Sequence, residues 1–253
     1  MRRTTWLMAL GSACLIGVMV AGLMALPPKE PTKTKEEITD TEKRMPGKVG
    51  GPPAQRVALG PNVFVEMENK KAVRVIVEAH VCLRRGVLEH LLCRQRTKEH
   101  EAILAADIDA RDLHAALLLA GAEPGKTVVL SPIEVPPSGS TVKISLRYKT
   151  KDGKEVRVPA QQWVRHIKTR IDLQTDWVFA GSAFMVHEGD PAKVYYLAND
   201  GDVICVSNFE TALLDLPIMS SSHDNEYEAH TERIPPGDTP VEVILEPVKE
   251  KKR

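Results

Sequence analysis

Aromatic residues are scarce: four Phe, four Tyr and three Trp make up 4% of 253 residues. So few rings disfavour base-stacking platforms and carbohydrate-stacking clefts. Net charge is missing too. With 34 Lys and Arg against 34 Asp and Glu, no global basic field recruits nucleic acid or an anionic membrane. The four cysteines contain no Cys-x-x-Cys pair, so no iron–sulfur or zinc-ribbon spacing is present. Nor is there a Gly-x-Ser-x-Gly elbow, a phosphate loop or a dinucleotide fingerprint. The sequence names no reaction, no catalytic residue and no cofactor.

What is present begins at the N-terminus. Arg2 and Arg3 precede an uncharged, mostly apolar stretch that runs through Leu26. Its 21 residues from Trp6 to Leu26, rising about 1.5 Å each, match a roughly 30 Å hydrocarbon core. The leading arginines predict a signal-anchor over residues 1–26, with the rest of the chain exported; secretion after cleavage is the alternative. Residues 27–56 are rich in Pro, Gly and Lys and nearly devoid of apolar side chains. Such a segment reads as a disordered tether. The globular region is then 57–248, followed by a charged tail at 249–253.

Within that region strands outnumber helices. Val73 to Leu83 carries Val73, Val75, Val77, Ala79 and Val81 at period two, a half-buried strand. Arg84-Arg85-Gly86 reads as a turn after which Val87 to Cys93 returns as its partner. Asp152-Gly153 and Asp200-Gly201 each predict a hairpin, because both central residues of the tight turn need positive φ. The best helix starts at Asp109, a good N-cap, places Leu113 and Leu117 on one face and stops at Gly121. A weaker one is expected over Pro159–His166. The expected fold is α+β: mainly antiparallel sheet with hairpins and one covering helix at about 110–120, preceded by the transmembrane helix.

The densest meeting of ionisable side chains is Lys98-Glu99-His100-Glu101. As a metal site it would need Cys93, Asp107, Asp109 or His114 to complete the shell, and its spacing matches no standard signature. The bland reading is a polar turn. A thiol or metal-dependent enzyme would use Cys93, His100, Glu101 and His114, which would have to converge within about 3–5 Å. A binding surface would instead splay Lys98, Glu99, His100, Glu101 and His114 outward beside exposed apolar area. Cys82 and Cys93 face each other as a disulfide if Gly86 is near the turn's tip, and fall out of register if the turn is tight at Arg84–Gly86. Three exported cysteines leave one odd, and Cys205 within Val-Ile-Cys-Val reads as a small buried hydrophobe.

Several segments together resemble the YdjY-like family: Val81-Cys82-Leu83 with Gly86 and Glu89, Lys98 to Glu101, Leu113 to Leu118, Asp176 to Ser182, Cys205 to Phe209 and Leu214 to Pro217. The resemblance covers about 60–246. It implies an exported or membrane-tethered bacterial protein, with some members resembling partners of iron–sulfur proteins. Any cluster would belong to such a partner. The combined expectation is a membrane-tethered, extracytoplasmic binding module for a cell-envelope protein, with no nucleic-acid partner.

Overall fold

Alternating Val and Ile side chains favour extended backbone, because branched Cβ atoms pack well on a pleated surface. A computed structural model describes residues 55–187, 189–220 and 226–249. The predicted anchor, most of the tether and residues 250–253 lie outside the described residues. Among those described, no helix is long and apolar enough to cross a membrane.

Eleven strands form the main sheet: β1 (Gln55–Gly60), β2 (Val63–Glu68), β3 (Lys71–Val81), β4 (His90–Arg94), β5 (Ala102–Ala106), β6 (Thr141–Lys149), β7 (Glu155–Pro159), β8 (Trp177–Phe179), β9 (Ile204–Cys205), β10 (Leu214–Asp215) and β11 (Pro240–Pro247). Eight of them close a ring in the order β3-β11-β6-β8-β10-β9-β4-β5, sealed where His80 and Val81 of β3 pair with Ala105 and Leu104 of β5. Closure removes the sheet edges that would otherwise template aggregation. β1, β2 and β7 extend the sheet outside the ring. Buried Val75, Val77, Leu146, Val243 and Leu245 belong to one core with Trp163, Trp177 and Phe179.

The fold is therefore mainly β and built on a closed barrel, which overturns the α+β expectation. The covering helix does form: α1 (Ala110–Leu119) is capped by Asp109, whose side chain accepts from the Arg111 amide at 2.9 Å, and it buries Leu113 and Leu117. Gly121 follows with φ 89°. Ten residues leaning on β1, β2 and β3 are too few to make a layer.

Two pairings also differ from expectation. The Val73–Leu83 and Val87–Cys93 strands are not neighbours, because β5 is inserted between β3 and β4. Asp200-Gly201 ends a 3-10 turn over Leu197–Asp200, and the strand before it pairs backward with Phe184–His187. The Pro159–His166 helix is reduced to a 3-10 turn at Ala160–Trp163 that runs into a short strand. The Asp152-Gly153 hairpin forms as expected, joining β6 to β7 in register from Glu155↔Lys149 to Pro159↔Ser145.

Candidate functional site

β4 and β5 are parallel, so the chain must travel back along the ring between them. It does so through residues 95–101, a crossover much shorter than the dozen or more residues usual for parallel strands. This return holds Lys98-Glu99-His100-Glu101. The Glu101 carbonyl accepts from the Glu89 and His90 amides at 3.0 and 3.1 Å. That backbone clamp places Glu89, His90 and Glu101 side by side, although twelve positions separate the first from the last.

His90 is fully buried. Its Nε2 is 2.9 Å from Asp202 Oδ1, and its ring stacks on Phe209 with centroids 5.1 Å apart. Asp202 also accepts from Lys98 Nζ at 2.9 Å and from the Thr211 hydroxyl. Burial alone would raise the Asp202 pKa, but these three donors hold it well below the usual carboxylate range. Burial lowers the His90 pKa despite the adjacent carboxylate. Burial works against the Lys98 ammonium as well, yet Asp202 and Glu101 raise its pKa overall. An ionised Asp202 facing a neutral His90 assigns the ring proton to Nε2. The other nitrogen, Nδ1, is then a bare lone pair, buried and without a hydrogen-bond partner.

That lone pair faces acid. Nδ1 is 4.0 Å from Glu101 Oε1, and one ligand atom each from Glu89, His90 and Glu101 lie within 4.8 Å of one another. Burial, then the Glu101 carboxylate, raises the Glu89 pKa.

The predicted site residues divide. Lys98 and Glu101 belong to this cluster. Glu99 turns back to accept from the Arg96 amide. His100 is exposed, with Nε2 3.6 Å from Glu101 Oε2. His114 is elsewhere: its Nδ1 is 2.8 Å from the Tyr196 hydroxyl and its ring packs edge-on against Phe179. Cys93 is buried with Cys82 against Ala102 and Ala105. The Cys82 thiol donates to the Ala102 carbonyl at 3.1 Å, and the interaction between the two thiols lowers the Cys82 pKa and raises that of Cys93. Cys93, His100, Glu101 and His114 form no joint set among the described residues.

The sequence gives no site signal at His90 or Asp202, and it marks Glu89 only through the family resemblance. His90 sits in an apolar run and looks like a packed ring, and only the 112-residue reach to Asp202 reveals its role. Asp202 directly follows the Asp200-Gly201 turn signal, and nothing local marks it as a site residue.

Elsewhere, an open groove of about 790 Å³ runs over β3, β6 and β11. Arg147 and Glu242 form an ion pair within it, and it shares no residue with the His90 cluster.

Residues 65–246 match the family model of the YdjY domain. The chain belongs to the YdjY domain family. No curated protein and no solved structure matches it. The YdjY match begins in β2 and ends in β11, so it takes in the whole ring together with Glu89, His90, Glu101 and Asp202. Two segments that carry the YdjY resemblance meet in the core, where Trp177 Nε1 donates to the Cys205 carbonyl at 2.7 Å.

Proposed function

We propose that this YdjY domain is an extracytoplasmic binding module that engages another protein of the cell envelope. The observation that carries the reading is the two-stranded ribbon Phe184–His187 and Asp190–Tyr196. Phe184, Met185, Val186, Val194 and Tyr195 are all exposed there, at 38–60%. The pairs Met185↔Tyr195 and Val186↔Val194 point to opposite faces, so both faces of the ribbon meet solvent. An isolated two-stranded ribbon with wet apolar faces is marginal in water, and a partner that covers it removes that cost.

His114 supports the ribbon from below. It bonds Tyr196, whose ring in turn packs on Phe184 with centroids 4.7 Å apart. The ribbon is thus tied to α1 at its root. The N-terminal pattern of Arg2, Arg3 and the following apolar stretch supports placement outside the cytoplasmic membrane, tethered or secreted.

A photoreactive residue placed at Met185 in the full chain, in its native cell, tests this. A discrete protein adduct is expected from position 185, none from the exposed control Glu155, and loss of the adduct on adding Val194→Glu. Identical adducts from both positions, or none from 185, would sink the proposal.

A further inference from the structure

We infer that Glu89, His90 and Glu101 bind one divalent first-row metal ion through the Nδ1 nitrogen and the two carboxylates. Three independent features converge on it. First, His90 is completely buried, yet its Nδ1 has no hydrogen-bond partner. A buried acceptor without a donor is destabilising, so its retention asks for a reason. Second, the opposite nitrogen is anchored by Asp202. A carboxylate that fixes the tautomer and turns the free lone pair toward a cation is the usual support of a metal-bound histidine. Third, two carboxylates crowd the same lone pair. A dication relieves their mutual repulsion, whereas two half-buried anions alone repel.

The donor set suits a particular chemistry. One imidazole and two carboxylates favour Zn²⁺, Mn²⁺ or Fe²⁺ over soft thiophilic ions. The competing group, His90, Asp202 and Cys205, is the poorer choice. Asp202 is already committed to His90, Lys98 and Thr211, and complete burial holds Cys205 as the thiol.

Lys98 opposes the ion. Its Nζ is 4.0 Å from Glu101 Oε1 but 2.9 Å from Asp202. The tighter contact keeps the ammonium on Asp202 and leaves Glu101 available. Exposed His100, 3.6 Å from the other Glu101 oxygen, stands at the mouth of the site.

This inference does not depend on the ribbon's partner, since it is read on the isolated chain. The purified full-length protein is freed of metal with a chelator and titrated with Co²⁺, then with Zn²⁺ in competition. One equivalent of Co²⁺ per chain is expected, with visible d–d absorption that Zn²⁺ abolishes. The ¹⁵N resonance of His90 Nδ1 should shift on Zn²⁺ binding. Glu89→Gln and Glu101→Gln should each weaken binding at least tenfold, while His166→Ala, whose ring packs on Tyr227 in another sheet, leaves it within about twofold. Metal-free melting temperatures of both Gln variants near the parent's show that loss of binding is not loss of fold. No binding below millimolar Co²⁺, binding kept in both Gln variants, or equal dependence on His166 overturns the assignment.

Discussion

Asp215 is a carboxyl with no exposed surface and, among the described residues, no ion-pair partner in contact. It accepts from Asn208 Nδ2 at 2.9 Å and from the Leu216 and Phe209 amides at 2.8 and 3.2 Å. Burial nevertheless pushes its pKa up to about 7, outweighing these donors. The folded chain thus holds the Asp215 proton more tightly than the unfolded chain, where the carboxyl titrates near 3.9. Its contribution to stability is fully present below about pH 4 and is lost as pH rises through 7. Asp215→Asn cannot ionise, so it should gain on the parent as pH rises from 4 to 7, by up to about 4 kcal/mol. Urea unfolding of both proteins at pH 4.5, 6 and 7.5 checks this. A constant difference across the three would show that Asp215 is ionised throughout.

At the scale of elements, the cysteine pair shows what the sequence conveys and what it withholds. The juxtaposition of Cys82 and Cys93 was legible as one of two alternatives, but the expected route to it was a direct hairpin. In the fold, β5 intervenes: Cys82 donates to the Ala102 carbonyl on one side of that strand, and Cys93 pairs with Ala105 on the other. Local cues such as the Asp109 cap, the Gly121 stop and the Asp152-Gly153 turn act within a few residues, and each was readable. Asp200-Gly201 carried the same turn signal and misled, because β9 found longer-range partners in β4 and β10. With both cysteines packed against Ala102 and Ala105, mild oxidant should remove two protons and two electrons and join them. Peptide mapping without reductant should then find Cys82 bridged to Cys93, with Cys205 a free thiol. The bridge should stabilise the domain by roughly 3 kcal/mol, and Cys82→Ser should abolish both effects. Oxidant that leaves Cys82 and Cys93 both titratable would refute the pairing.

The barrel as a whole is uneven, and no local pattern could show it. One side is a broad ladder: β11 pairs with β3 over six positions and with β6 over seven. The other is thin, with two pairs between β8 and β10, one between β9 and β10, and two between β9 and β4. Side chains from sequence-distant segments stitch this thin side. Asp202 precedes β9, Thr211 precedes β10, His90 opens β4 and Lys98 lies on the crossover into β5, and three of the four converge on the fourth. The candidate site was hidden in the sequence for the same reason the ring was, since each contact joins residues that only closure brings together. Removing the central acceptor should therefore open one side first. Asp202→Ala strands a buried imidazole N–H and an ammonium, which costs about 3–5 kcal/mol. In native-state hydrogen exchange, amides of β4, β9 and β10 should lose protection in this variant, while β3, β6 and β11 keep theirs above the new local opening. Uniform loss around the ring would mean that the barrel opens as one unit and that Asp202 is no seam.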